Sequence, residues 1–231
     1  MIAIKGGDGK VFLYGEKELE YLKKKDKRLA QVIDALGPLE RNTNSDLFAS
    51  VVHHIVGQQI SMAAQATIWR RMADALGEIT PEKIYATDTP ALQACGISFK
   101  KAEYIKDFAQ KVHHGAFDIN ALAEKKDDEV IAELAALKGI GVWTAEMLMI
   151  FSLQRPDVLS FGDLAIQRGL RMLYHHRKID RKLFEKYRRR YSPYGTVASF
   201  YIWAVANGAI PGMKEYAPVK KAKDKKPPSH A

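Results

Sequence analysis

A single cysteine, Cys95, stands among 231 residues. One thiol excludes an intrachain disulfide and any iron–sulfur cluster held by four cysteines. No apolar run approaches the ~20 residues that cross a bilayer. The opening Met1-Ile2-Ala3-Ile4-Lys5-Gly6-Gly7 lacks the apolar core of a secretory leader. His53 and His54 have no Asp, Glu or Cys at metal-site spacing, so both read as structural helix residues. These absences predict an intracellular monomer with no membrane partner and no required cofactor.

Positive charge is abundant: 36 Lys and Arg face 27 Asp and Glu, for a net charge of +9. A basic excess favours polyanions, because each cation set on a phosphate releases counterions. Part of the excess lies in His175-His176-Arg177-Lys178 and Arg188-Arg189-Arg190. Part lies in Lys220-Lys221-Ala222-Lys223-Asp224-Lys225-Lys226, which predicts a flexible basic tail over residues 213–231. Solvated helix faces explain such charge as well as a nucleic-acid surface does.

The hydrophobic pattern is helical almost throughout. Ile2, Ile4, Val11 and Leu13 alternate around Gly6-Gly7-Asp8-Gly9 and predict a short N-terminal hairpin. From Glu16 to Leu36 the leucines, Val32 and Ile33 recur at helical spacing, predicting one helix stopped by Gly37-Pro38. Further helices are expected from Ser45 or Asp46 to Val56, Ser61 to Leu76, Phe99 to His113, Asp127 to Leu137, Val142 to Leu153, Asp163 to Tyr174, Arg181 to Tyr191 and Tyr194 to Asn207. Shorter ones fall around Pro81–Ala86 and Thr89–Ala94. Gly96-Ile97-Ser98-Phe99 and Gly139-Ile140-Gly141-Val142 form a weak repeat of turn-then-helix joints, 43 residues apart.

The second joint is the most specific. Gly139 and Gly141 sit between two helical patterns, where the first turn of the next helix presents N–H groups without internal partners. Glycine permits positive φ and close approach. A phosphate can bind there, with Thr144 adding a hydroxyl; the plainer reading is a ligand-free turn. Asp163 opens a later helix and is on residue type alone an N-cap. A fixed carboxylate can also serve chemistry, so the two roles are compatible.

The wider segment Leu137-Lys138-Gly139-Ile140-Gly141-Val142-Trp143-Thr144-Ala145, with Asp163 downstream, resembles the helix–hairpin–helix DNA glycosylases that carry a Gly-Pro-Asp-type loop. Ile55-Val56-Gly57-Gln58-Gln59-Ile60-Ser61, Asp163-Leu164-Ala165-Ile166-Gln167-Arg168 and Phe200-Tyr201-Ile202-Trp203 extend the resemblance over roughly residues 40–210, and the subfamily it looks most like is 3-methyladenine DNA glycosylase II in its short form. The resemblance implies an all-α, two-lobed fold with a cleft between lobes. One lobe is 44–155, carrying the hairpin 137–146; the other is 1–43 plus 156–212. It implies duplex DNA as partner, Asp163 as catalytic carboxylate, and Trp143, Trp203, Met147 and Tyr201 as pocket walls. Gly139, Gly141, Thr144, Lys100 and Lys101 would hold DNA, and Gln58, Gln59 and Ile60 would be the wedge that fills the flipped-out base's place. A structural cation would bind the main-chain carbonyls of Ala135, Leu137 and Ile140.

Family members that cleave the strand carry a lysine nucleophile where this chain has Trp143. The implied enzyme is therefore a monofunctional glycosylase that releases an alkylated purine and leaves an abasic site. Such a base is already cationic, departs without a strong acid, and stacks on electron-rich rings. No second carboxylate stands out in the sequence. A related glycosylase for hypoxanthine or an oxidised base, and a non-catalytic DNA-binding hairpin module, are the alternatives. The second gives no reason for Asp163, Trp143 and Trp203 together.

Overall fold

The structure, a computed structural model, describes residues 10–217. Within them are twelve α-helices and one 3-10 turn, with no strand beyond an isolated antiparallel bridge between Val11 and Asn42. The helices are α1 (Glu16–Lys25), α2 (Lys27–Leu36), α3 (Leu47–Gly57), α4 (Met62–Leu76), α5 (Pro81–Ala86), α6 (Thr89–Ala94), α7 (Phe99–His113), α8 (Asp127–Ala135), α9 (Val142–Phe151), α10 (Leu164–Tyr174), α11 (Arg181–Tyr191) and α12 (Gly195–Ala206). Most of the expected N-terminal hairpin falls on residues 1–9, outside the described residues. The backbone of Lys10 and Phe12 pairs with residues 41–43 instead: Phe12 N–H donates to Arg41 O (2.8 Å) and Thr43 N–H to Lys10 O (3.0 Å).

Two helices are apolar on nearly all sides, Glu146 being the one charged residue of α9, and such helices belong inside. On α9, Ala145 and Met147 to Ile150 are buried; on α12, Val197, Ala198, Phe200, Tyr201, Ile202 and Val205 are buried. Each is the centre of one packed set. Helix α9 packs on α8 and α3, and α3 packs on α4 and α7, which also carries α5 and α6. Helix α12 packs on α10, α2, α1 and α11. The tightest approach is α10 on α12: a Cβ at Gly169 would lie 2.3 Å from the Ile202 carbonyl oxygen, so only glycine fits. Phe151, the last residue of α9, stacks on Trp203 of α12 with ring centroids 6.0 Å apart, joining the two sets. The connecting segment is tied to α12 as well, through Val158 N–H to Thr196 Oγ1 (3.0 Å) and Ser199 Oγ–H to Val158 O.

The helix expected over 16–36 is broken in two. Asp26 leaves helical geometry at φ −148°, ψ 109°, and its Oδ1 accepts the N–H groups of Arg28 and Leu29 (both 3.0 Å), starting α2. Its Oδ2 accepts from Tyr174 Oη–H (2.7 Å) and from the Arg190 guanidinium. Asp26 thus ties α2 to α10 and α11. The expected tail is also partly docked: Glu215 takes a bidentate bond from Arg171 (2.8 and 2.9 Å), and Tyr216 lies against His175. Residues 218–231 lie outside the described residues.

Asp26→Ala removes a cap and an acceptor for two partly buried donors at once. We expect it to cost about 2 kcal/mol, read as a lowered urea midpoint with an unchanged slope. An unchanged midpoint would show that the carboxylate holds nothing together.

Candidate functional site

The hairpin between α8 and α9 separates its two glycines by role. Gly139 has φ +83°, and a Cβ there would fall 2.5 Å from Tyr104 Cδ2, so both backbone and neighbour require glycine. Gly141 has an ordinary extended geometry, φ −102° and ψ 172°, and a Cβ there would meet nothing within 4 Å. The fold does not need glycine at 141; what the missing side chain leaves clear is the approach from outside. Helix α9 starts at Gly141 with no capping side chain, unlike α3, α4, α7, α10 and α11, which Asp46, Ser61, Ser98, Asp163 and Asp180 cap. Its first-turn N–H groups are therefore free to take an external acceptor, at the positive end of the helix dipole. Val142 and Trp143 are exposed on this rim. Thr144, expected to add a hydroxyl, is instead buried behind it.

Asp163 meets this helix from the other side. It is buried at 7% exposure, and its Oδ1 accepts the N–H groups of Ala165 (2.8 Å) and Ile166 (2.9 Å), capping α10. Its Oδ2 accepts Trp143 Nε1–H at 2.9 Å. A carboxylate offers about four lone-pair sites; three are filled, and the remaining one is on Oδ2. Trp143 is 37% exposed, so the pair stands at the edge of solvent. The cap and the carboxylate expected to serve chemistry are one side chain, and the indole expected only as a stacking surface is also its partner.

The other aromatic positions separate. Trp203 is half-buried and stacked on Phe151, eight residues or about 12 Å along α9 from Trp143. Tyr201 is not at the cleft: it is fully buried, and its hydroxyl donates to Gly37 O (3.0 Å) in the packing of α12 against α2. Met147 is buried in the interior of α9 at 2% exposure. A carboxyl that the sequence pattern does not single out comes into place instead. Glu146, one turn after Trp143, accepts a hydrogen bond from Ser160 Oγ–H. Burial is the main influence and pushes its carboxyl above the usual range, as does the charge of Asp163; Ser160 and Arg181 pull it back. The available signal is its i+3 spacing from Trp143 on one helix face.

The loop between α3 and α4 carries the three expected wedge residues in two roles. Gln59 and Ile60 are exposed, with Gln59 at φ +57°. Gln58 points back: its Nε2–H donates to Gly139 O at 2.5 Å. Lys100 is exposed, with its ammonium 5.7 Å from the Tyr104 ring centroid. Lys101 turns inward, donating to Val56 O (2.8 Å) and Gln58 O (2.7 Å), and burial pushes its ammonium below the usual lysine range. The carbonyl of Leu137, one of three expected to hold a cation, already accepts Ile140 N–H at 3.1 Å. Among the described residues no helix is long and apolar enough to cross a membrane, and no group of three or more His, Cys, Asp or Glu is placed to hold a metal ion.

Known proteins carry the same architecture. DNA-3-methyladenine glycosylase 1 of Schizosaccharomyces pombe is 32% identical over 182 residues, spanning 77% of this chain and 80% of that protein. The crystal structure of DNA-3-methyladenine glycosidase from Bacillus halodurans matches with a TM-score of 0.79 at 37% identity, over 87% of this chain and 94% of that one. A Schizosaccharomyces pombe 3-methyladenine DNA glycosylase in complex with abasic DNA matches with a TM-score of 0.69 at 30% identity, over 81% of this chain and 95% of that one. The model of the HhH-GPD superfamily of base excision DNA repair proteins matches residues 52–193, a span that holds the 58–60 loop, the hairpin and Asp163. With the hairpin, the downstream aspartate and the all-helical packing in register with that match, the chain belongs to the HhH-GPD superfamily.

Proposed function

We propose that this protein is a monofunctional DNA glycosylase that hydrolyses the N-glycosidic bond of alkylated purines, of the 3-methyladenine and 7-methylguanine class, in duplex DNA. The observation that carries the reading is the Asp163 carboxylate, gripped by Trp143 and by the first turn of α10, at the edge of solvent beside an uncapped helix start. The relatives' names support 3-methyladenine as a substrate: the Schizosaccharomyces pombe DNA-3-methyladenine glycosylase 1, the Schizosaccharomyces pombe 3-methyladenine DNA glycosylase structure in complex with abasic DNA, and the Bacillus halodurans DNA-3-methyladenine glycosidase all carry it.

The mechanism rests on charge. Breaking the bond to the base builds positive charge on the sugar, and a fixed anion stabilises it without reorganisation. Asp163 is fixed at both oxygens, with one lone pair left to face the sugar or orient the attacking water. The base takes the bonding electrons as it leaves, and water supplies the hydroxyl to the sugar. An alkylated purine carries its own positive charge, so departure needs no strong acid. Trp143 cannot form a Schiff base, because an indole N–H is only a donor, and this favours hydrolysis over strand cleavage. Its exposed face suits a cationic base.

The first turn of α9, cleared by Gly141, would hold a DNA phosphate, with Lys100 near a second one. Gln59 and Ile60 would enter the stack. We take 44–155 as the hairpin lobe, with the flanking segments 1–43 and 156–212 as the other. A hairpin cation would be held by the carbonyls of Ala135, Leu137 and Ile140. Leu137 O keeps one lone pair for it, and no step of the reaction is assigned to such an ion.

Asp163→Asn should lower release of methylated purine from duplex DNA by about 10³-fold while duplex binding persists; equal release by both proteins would sink the assignment. Trp143→Phe separates stacking from positioning, since it keeps a ring and removes the N–H. We expect single-turnover release to fall about tenfold, whereas a ring that only stacks would leave it near the parent rate. Gly141→Ala should weaken duplex binding without shifting the melting temperature. Gly139→Ala should instead lower stability, by about 1–2 kcal/mol for the left-handed backbone alone. The reverse assignment of effects would overturn the phosphate reading.

A further inference from the structure

The loop that would enter the DNA stack is held at its root by two side chains. Helix α3 ends at Gly57, so its last carbonyls lack partners within the helix and lie at the negative end of its dipole. Lys101, from the first turn of α7, brings its ammonium to two of the carbonyls at this end, Val56 O and Gln58 O. The Gln58 side chain then crosses to Gly139 O at the hairpin apex. Tyr104, also on α7, fills the space that a side chain at 139 would need. One helix, one loop root and one hairpin are thus bolted together, while Gln59 and Ile60 project into solvent. Gln59 holds a left-handed backbone that non-glycine residues rarely adopt, and such a geometry persists where its surroundings over-determine it.

We propose that Lys101 and Gln58 are positioning residues for base flipping: they hold the 58–60 loop in its inserting shape and lock it to the hairpin, so that phosphate docking and wedge insertion occur as one movement. Flipping costs unstacking and unpairing energy. A loop ordered beforehand does not add its own ordering entropy to that cost. Lys101 acts through the loop rather than on the sugar or the base, which sets its effect apart from that of Asp163. The inference rests on the glycosylase reading and on Gln59 as wedge.

The test compares single-turnover release of 7-methylguanine from two duplexes: one with the lesion paired to cytosine, the other with it opposite a tetrahydrofuran abasic analogue, where less pairing must be broken. Lys101→Met and Gln58→Leu should each lower the paired-to-unpaired rate ratio about tenfold, as expected for losing a hydrogen bond to a charged or strained group. The two together should do little more than either alone, because they act on one loop root. Lys101→Arg, which can still reach both carbonyls, should restore the ratio. Equal losses on both duplexes, or no loss on either, would overturn the proposal. Gln59→Ala separates the two levels. If it lowers the ratio while Lys101→Met and Gln58→Leu do not, the wedge stands and the positioning role fails; if none of the three changes it, the wedge reading fails as well.

Discussion

The arrangement depends on one carboxylate that does two jobs. Asp163 starts α10 by taking two backbone N–H groups on one oxygen and holds the start of α9 by taking the Trp143 indole on the other. The two helices belong to different packed sets, so this side chain is a strut between them as well as the carboxylate to which the proposed reaction is assigned. A helix cap typically contributes about 1 kcal/mol. Here it is buried, and the capping geometry aims the carboxylate. On the proposed mechanism, local folding and reaction chemistry require the same rotamer, so stability and function do not conflict at this position.

Around this strut the backbone is kept close by glycine and open by glycine, at different places. Gly169 lets α10 touch α12 at the Ile202 carbonyl. Gly139 lets Tyr104 close beneath the hairpin. Gly141 has open space where its side chain would be. The first two glycines belong to packing, and packing gives no reason for the third. Spacing in the motif does not distinguish them; the space around each Cβ does.

Much of the fold was legible because helix ends are local chemistry. Ser98 and Asp180 cap their own helices, and α7 and α11 run over Phe99–His113 and Arg181–Tyr191, the bounds expected from periodicity. The break at Asp26 was not legible, because Leu22, Leu29 and Val32 keep helical spacing across it and the competing pull comes from Tyr174 and Arg190, about 150 residues away. Tyr201 and Met147 were expected at the cleft and lie in the core for a related reason. They sit on α12 and α9, which are apolar nearly all round, so periodicity marks no face and residue type alone cannot say which side looks into the cleft. Lys101 reads as a surface cation because lysines usually are; its acceptors are carbonyls more than forty residues earlier. Glu146 does not stand out in sequence because its nearness to Asp163 arises from the turn at Phe161-Gly162, not from sequence distance.

Position 143 shows how one residue sets both what the cleft does and what it does not do. A lysine there would be a nucleophile beside the sugar. An indole cannot attack, yet its N–H spans the gap to Asp163 and its face remains partly open. The same carboxylate would feel the two residues differently: a lysine would bring full positive charge and cancel part of the field meant for the sugar, whereas an indole brings only a dipole. The charge of Asp163 is thereby left uncancelled, and Glu146, one turn further along the same helix and bonded by Ser160, adds a second negative charge when it is ionised. A cationic leaving base needs little help to depart and much help to leave a stabilised sugar behind. A cleft with anchored anions and no nucleophilic amine at 143 matches that division of labour.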